Sequence, residues 1–294
     1  MVRIKYDEKL TVRESLDDII DNYLKQSKYS ILINNGNKAA IYDELDRSEQ
    51  IYLDKVNQNR LHKIPSKEEI FGLNSRVMNY FFSQRYEKFV YIPFLDFHTC
   101  PICNSPEANT VDHVLPKEKY VQFTLTPCNL VPICDRCNTR KKNYIGSSPQ
   151  KNAFHPYFDD IEFKKYLEGK LVIKDGVKVI IGIKKKKSDE TSKITKDKRI
   201  RYYNNYFHIY KMYKTFNAMA ERSLFSLIQD LNYVGTTVNR NIIKEQIISE
   251  YTDLSNKNYH FLNENYIKML VYKTLYANLS TTLVEEIQKM ATKL

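Results

Sequence analysis

The stretch 100–142 reads CPICNSPEANTVDHVLPKEKYVQFTLTPCNLVPICDRCNTRKK and contains most of the chemically demanding side chains of the chain. It holds two C-x-x-C pairs with an Asp-His dipeptide between them: Cys100/Cys103, Cys134/Cys137 and Asp112-His113. Each C-x-x-C turn presents two sulfurs from one knuckle, so two such pairs can close a tetrahedral Zn²⁺ site. We therefore predict a structural zinc that ties together the two ends of this stretch. The cysteines alone are equally compatible with a zinc knuckle that only holds a binding module.

Six further residues stand in a fixed order among these cysteines: Asp112, His113, Pro116, Asn129, Asn138 and Lys141. Together with the four cysteines, this order resembles the HNH endonuclease family in its four-cysteine form, over about residues 95–150. The resemblance implies a ββα-metal unit in which a first strand ends at Asp112-His113. A second strand near 130–133 and a helix starting around 136–138 would follow. The apolar and β-branched residues around both strands independently favour this interpretation.

The resemblance also implies a role for each residue in phosphodiester hydrolysis, which needs an activated water and a cation on the scissile phosphate. His113 would be the general base, and its ordinary pKa near neutrality suits that task. Asp112 and Asn138 would hold a catalytic Mg²⁺ or Mn²⁺, because hard cations prefer oxygen ligands. Many family members carry histidine in place of Asn138, so softer metals fit this chain less well.

Other residues of the stretch would support this chemistry. By resemblance, Asn129 bonds backbone groups of the intervening loop and fixes the strand that aims His113. We expect three cations on or after the helix to contact the phosphates of the substrate: Arg140, Lys141 and Lys142. Outside the motif, Cys128 is interpreted as a small buried hydrophobe and His155 as a structural histidine.

Composition favours a folded protein without a membrane span. The chain has 294 residues, of which 42% are hydrophobic and 13% aromatic. It contains no run of eighteen apolar residues, and its N-terminus lacks the core of a signal peptide. We expect a soluble, cytoplasmic protein, because thiols paired for zinc fit a reducing compartment better than a disulfide framework does.

The charge of the chain is concentrated in one region. The formal net charge is +11, and residues 139–214 alone hold 20 Lys and Arg against 8 Asp and Glu. Such a field favours a polyanionic partner, here DNA, whose binding should weaken steeply with salt. The alternative is that a lysine-rich surface serves solubility.

The rest of the chain reads mostly as helix. Capping boxes at Thr11–Glu14 and Ser66–Glu69 precede apolar residues at helical spacing, which predicts an N-terminal helical region over 1–92. The HNH unit would span 93–160, and 161–187 would hold a β-hairpin turned by Asp175-Gly176 and a basic connector. The hairpin would either extend the nuclease sheet or cover its helix. A C-terminal helical region over 188–294 would include a core-facing stripe of Tyr203, Phe207 and Tyr210.

These observations combine into one prediction. We expect an α+β, mostly α-helical fold with a central zinc-bound ββα-metal unit, flanked by helical regions and a β-hairpin. The function would be metal-dependent endonuclease cleavage of DNA, and the alternative is a catalytically silent zinc-finger protein that binds nucleic acid. The long flanking regions carry no second catalytic motif, so a protein partner is expected. By fold-level analogy, this would be an ATPase of a bacterial restriction or anti-phage defence system.

Overall fold

The structure is a computed structural model that describes residues 10–21, 29, 32–34, 36–86, 99–105, 108–159, 163–184, 193–233, 239–257, 259 and 264–293. Its contacts group the chain into two compact units. The N-terminal unit spans Val2–Ile161 and Lys196–Asn205; apart from Met1, the C-terminal unit spans Glu162–Thr195 and Tyr206–Leu294. The division into four regions stays a prediction, and most of the basic connector after Lys184 lies outside the described residues.

Three helices open the N-terminal unit: α1 (Val12–Ile19), α2 (Lys38–Asn57) and α3 (Ser75–Tyr86). Helix α1 begins at the first predicted capping box, in which Thr11 and Glu14 exchange side-chain-to-backbone hydrogen bonds. The second predicted capping box does not open a helix. It leads instead into a short antiparallel hairpin of β1 (Glu69–Ile70) and β2 (Leu73–Asn74).

The physical reason for this difference lies in the turn between β1 and β2. Gly72 adopts a φ of +82°, a left-handed conformation that a helix cannot include. The helix therefore starts after the hairpin, at Ser75. There the side-chain oxygen of Asn74 accepts hydrogen bonds from the backbone N–H groups of Arg76 and Val77, as an N-cap does.

The centre of the N-terminal unit has the predicted ββα order. Strand β3 (Thr110–His113) pairs antiparallel with β4 (Leu130–Ile133), and Asp112 lies opposite Val131. Helix α4 (Asp135–Lys141) follows at once, and begins one residue before the predicted start. All residues of β4 are buried, because the strand pair is covered on both faces.

Two apolar clusters account for this burial. One joins the strands to the first three helices through Val111, Leu130, Leu16, Leu45 and Phe81. The other packs against the opposite side of the strand pair and includes Tyr52, Val114, Phe123, Val131 and Tyr157. His155 belongs to this second region: its Nε2 lies 2.9 Å from the Tyr52 hydroxyl, and it is 1% exposed. The N-terminal helices thus hold the β3–β4 pair rigidly in place.

The C-terminal unit combines a hairpin with four helices. Strands β5 (Leu167–Ile173) and β6 (Val177–Ile183) turn at Asp175 and Gly176, both at positive φ, as the Asp-Gly signal predicted. Within the described residues they pair only with each other, so the hairpin does not extend the nuclease sheet. Four long helices follow the hairpin: α7 (Met212–Tyr233), α8 (Arg240–Ser255), α9 (Glu264–Ala277) and α10 (Thr281–Ala291). The hairpin packs instead on three of them, α7, α9 and α10. The short helix α5 (Phe163–Tyr166) precedes the hairpin.

The predicted aromatic stripe is wrong at Tyr203 and right at Tyr210, and Phe207 is only half-buried. Tyr203 is 47% exposed, whereas the buried aromatic residues of this segment are Tyr202, Tyr206 and Tyr210. Helix α6 (Lys193–Asn204) continues into a π-helical turn at Asn205–Ile209. The buried tyrosines recur at intervals of four residues, whereas the predicted intervals were four and then three. The π turn, which adds a residue to the helical repeat, lies between Tyr202 and Tyr210.

The observed architecture confirms the predicted α+β, mostly helical fold with a cysteine cluster in its central unit. Among the described residues, no helix is long and apolar enough to cross a membrane.

Candidate active site and metal centre

The four cysteines predicted to bind zinc lie together. Their sulfur atoms are all within 4.8 Å of one another, and all four side chains are buried. A tetrahedral zinc with Zn–S bonds of about 2.3 Å would place the sulfurs about 3.8 Å apart, and the Cys103 and Cys134 sulfurs are 3.6 Å apart. None of the five cysteines forms a disulfide. The donor set and its geometry therefore fit a structural zinc.

Local structure explains how two distant pairs reach this arrangement. The first pair lies in a tight turn in which Cys100 accepts a hydrogen bond from the N–H of Asn104, a residue at a φ of +60°. The second pair lies at the start of α4, where Cys134 is the N-cap. Burial raises the pKa of the Cys100 thiol, so a thiolate there depends on a bound cation. Zinc would join the start of α4 to the chain that leads into β3.

Asn129 organises the loop between the strands. Its side-chain oxygen accepts a hydrogen bond from the N–H of Leu115 at 2.7 Å. Its side-chain nitrogen donates to the carbonyls of Leu115 and Phe123, each at 3.1 Å. Asn129 is completely buried, so these three bonds close the loop around its amide. The side chain makes the kind of contact that the resemblance implies.

His113 stands at the end of β3 with its ring fixed on two sides. Its Nε2 lies 3.0 Å from the carbonyl oxygen of Thr124, and its ring centroid is 4.7 Å from that of Phe82. A carbonyl can only accept, so Nε2 carries the proton and Nδ1 holds the lone pair. Burial, with the nearby charges of Lys117 and Lys141, lowers the pKa of His113 to about 3. The sequence-based expectation of a pKa near neutrality is therefore wrong for the buried ring. The ring is neutral at pH 7, with Nδ1 as its basic atom.

Asp112 and Lys141 form a buried ion pair. The Lys141 ammonium lies 2.9 Å from Asp112 Oδ2 and also donates to the backbone carbonyl of His113 at 2.9 Å. Burial raises the pKa of Asp112, and the Lys141 charge opposes that shift. Lys141 is only 2% exposed. This placement does not favour the expected phosphate contact, because an ammonium committed to two buried oxygens is not available to a substrate.

The side-chain oxygen of Asn138 is the atom that could bind a metal, because the side-chain nitrogen is already hydrogen-bonded. The side-chain nitrogen donates to the Thr110 hydroxyl at 3.1 Å and approaches the Val111 carbonyl at 3.5 Å. The Thr110 hydroxyl is itself oriented, since it donates to the Ile133 carbonyl at 2.8 Å. With the nitrogen directed at the strands, the oxygen is the end that can coordinate a cation. One carboxylate and one amide oxygen suit Mg²⁺ or Mn²⁺, which keep water and phosphate as further ligands.

These residues open onto one cleft of about 190 Å³. Its walls include Asp112, His113, Lys117, Glu118, Asn138 and Lys142. Of the three cations predicted to contact phosphate, only Lys142 lines this cleft. Lys141 is buried behind it, and the half-buried Arg140 does not contribute to its walls.

Sequence reasoning did not identify Phe82, Thr124 or Lys117 as parts of this site. Phe82 comes from α3, about thirty residues before the strand it packs on, and no local pattern connects the two. Thr124 contributes only a backbone oxygen, which any residue could supply. The sequence did offer a signal for Lys117, because this residue directly follows Pro116 inside the motif.

Comparison with known proteins agrees with this geometry. The HNH endonuclease family model matches residues 100–144. The chain is similar to Protein ea31 of Escherichia phage lambda, with 38% identity over 69 residues, or 22% of this chain and 23% of that protein. It therefore spans less than a quarter of that relative's length. No solved structure matches the chain. Residues 100–144 therefore correspond to an HNH endonuclease domain, and four of their cysteines are positioned to bind a metal ion.

Proposed function

We propose that this protein is a metal-dependent endonuclease that hydrolyses phosphodiester bonds of DNA in the cleft between β3 and α4. The observation that carries the proposal is the convergence of Asp112, His113 and Asn138 on that cleft. They come from a strand end and a helix that packs on it, and each side chain is oriented by a hydrogen bond or an ion pair. A silent binding module would have no need of such orientation.

His113 acts as the general base in this proposal. Its Nε2–H is held by the Thr124 carbonyl, so Nδ1 is the atom that takes the proton of the attacking water. Asp112 and Asn138 would hold the divalent cation through their side-chain oxygens. When bound, that cation withdraws charge from the scissile phosphate and from the leaving 3′ oxygen. Hydrolysis leaves a 5′ phosphate and a 3′ hydroxyl.

Lys141 acts as a positioning residue. Its contact with Asp112 Oδ2 leaves Oδ1 as the carboxylate oxygen for the metal. Its bond to the His113 carbonyl fixes the backbone of the base relative to the metal ligand. Among the predicted cations, Lys142 is then the one that lines the cleft and meets the substrate.

Incubation with supercoiled plasmid tests the function. The purified protein should cut in Mg²⁺ or Mn²⁺ and not in EDTA. The His113→Ala variant should be slower by about 10²–10⁴-fold, the usual contribution of a general base. The ratio of nicked to linear product reports whether both strands are cut.

Equal rates for parent and variant would exclude His113 as the base. No cutting in any metal would leave the silent zinc-finger interpretation.

The biological role is proposed from the resemblance alone. A nuclease of this build would serve as the effector of a bacterial restriction or anti-phage system, beside an ATPase. The flanking regions, which carry no catalytic motif, are the surfaces available to such a partner. A purified protein that is monomeric and fully active without a partner would count against this role.

A further inference from the structure

Lys117 is a cation of the cleft wall with no role in the arrangement described so far. It lines the same cleft as Asp112, His113 and Asn138. Unlike Lys141, which is paired with Asp112, it makes no ion pair within the part of the chain that the structure describes. Glu118 is close enough to influence its charge but not to form a salt bridge. The ammonium of Lys117 is therefore available to an anion in the cleft.

The position of Lys117 is set by rigid neighbours. The carbonyl of Pro116 accepts hydrogen bonds from the N–H groups of Lys119 and Tyr120, at 3.0 and 2.9 Å, which closes a tight turn around Lys117. Its ammonium lies 5.0 Å from the centroid of the Phe82 ring, within the range of a cation–π contact. The same ring packs on His113. Phe82 thus fixes the base and the cation relative to each other.

Partial burial favours the binding of an anion by the Lys117 ammonium. The side chain is half-buried, and burial lowers the pKa of Lys117. Part of the hydration of the ammonium is already lost in the free protein, so a phosphate gains more from this group than from a fully hydrated surface lysine. Lys142 lines the same cleft from the end of α4, at a φ of +50°. Lys117, from the turn after β3, and Lys142, from the end of α4, therefore both border the cleft that holds the proposed metal ligands.

We infer that Lys117, held on the Phe82 ring, is a substrate-binding residue that contacts a backbone phosphate of the nucleic acid next to the scissile bond. The inference rests on the proposed nuclease function. The ligand class is a phosphodiester backbone, recognised by charge and without reading of the bases. Lys117 and Lys142 then bind phosphates, while Lys141 keeps its charge inside the protein.

The experiment compares Lys117→Met with Lys119→Met, both in the His113→Ala background. Lys119 is exposed, lies two residues away in the same turn and does not line the cleft, so both variants lose the same charge. Binding to a short DNA duplex is measured without metal over a series of salt concentrations. For Lys117→Met, the slope of log Kobs against log salt should fall by about 0.9, the value for one phosphate contact. For Lys119→Met it should stay at the parent value, and Lys117→Arg should restore it.

Equal slopes for Lys117→Met and Lys119→Met would overturn the inference, since the effect would then be general surface charge. So would a parent protein that binds no DNA at low salt. Thermal melting of each variant shows that a loss of binding does not come from unfolding. With active protein, Lys117→Met should raise KM by about tenfold, or 1.4 kcal/mol. If the parent binds DNA but never cuts it, the proposed nuclease function fails, while the binding measurement still decides the role of Lys117.

Discussion

Single residues in this site do several tasks at once, and Asn129 is the clearest case. Its oxygen and its nitrogen are both committed, to one N–H and to two carbonyls of the loop that leads away from His113. No other side chain of similar size offers an acceptor and two donors in one plane. The amide therefore ties together three backbone groups of the loop.

The substitution Asn129→Asp should destabilise the protein by about 3 kcal/mol or more, because two buried carbonyls lose donors at about 1–3 kcal/mol each. The matched control is Asn239→Asp. Asn239 is the exposed N-cap of α8 and uses only its side-chain oxygen, which aspartate retains. Thermal or urea unfolding should separate the two variants clearly. Equal stability would show that the loop does not depend on the Asn129 amide.

Lys141 compensates the buried charge of Asp112. Replacement by methionine leaves the Asp112 carboxylate buried without its cation, which should cost about 3–5 kcal/mol. The neighbouring Lys142 is exposed, so Lys142→Met should change stability by less than about 0.5 kcal/mol. Urea unfolding of the two variants checks this difference. If both variants unfold like the parent, Lys141 does not compensate Asp112.

At the scale of elements, the docking of α1 on α2 depends on an unusual carboxyl group. Glu49 of α2 is 5% exposed, and its Oε2 accepts a hydrogen bond from the N–H of Val12, the first residue of α1, at 3.1 Å. Burial is the main reason that the pKa of Glu49 rises from 4.5 to about 7, and the carboxylates of Asp46 and Glu14 add to the shift. The two helices therefore pack through a group that titrates near neutral pH.

This shift predicts a pH dependence of stability. Between pH 4.5 and about 7, the folded protein keeps the Glu49 proton that the unfolded chain releases. The contribution of Glu49 is thus fully present below pH 4.5 and is lost as pH rises to about 7. The slope is at most about 1.4 kcal/mol per pH unit. Glu49→Gln should remove this dependence and make the protein more stable than the parent at pH 8.

Urea unfolding at pH 5, 6, 7 and 8 measures the effect. Glu68→Gln is the control, because it makes the same chemical change at an exposed position. Its stability should follow the parent at every pH. His113 and His155, whose pKa values are both lowered to about 3, contribute the opposite pH dependence in the parent and in the variant alike. A stability difference between the parent and Glu49→Gln that stays constant from pH 5 to 8 would therefore contradict the role of Glu49.

For the whole molecule, we expect the folding of the N-terminal unit to depend on zinc bound by the four-cysteine cluster. The two cysteine pairs are separated by thirty residues that include β3, β4 and the Asn129 loop. A metal at their junction joins both ends of the candidate active site. Structural zinc contributes on the order of 10 kcal/mol in small sites, which is as large as the whole free energy of unfolding of a typical domain, about 5–15 kcal/mol.

Elemental analysis should therefore find one zinc per chain. Cys134→Ser should lose the metal and unfold the N-terminal unit, as seen by circular dichroism. Cys128→Ala should keep it, because Cys128 is buried outside the sulfur cluster. Zinc content that is the same in both variants, or absent from the parent, would refute the assignment.

The sequence by itself determined the parts of this protein that depend on neighbouring residues. The C-x-x-C turns, the ββα order, the Thr11 capping box and the Asp175-Gly176 turn are all local, since their ligands, caps and backbone angles come from a few adjacent positions. The tertiary structure alone decided which side chains are buried and against what. It turned Lys141 inward onto Asp112, brought Phe82 from α3 to His113 and Lys117, and buried Tyr202 and Tyr206 while leaving Tyr203 exposed. Burial depends on contacts with elements that are distant along the chain, so no local sequence pattern predicts it.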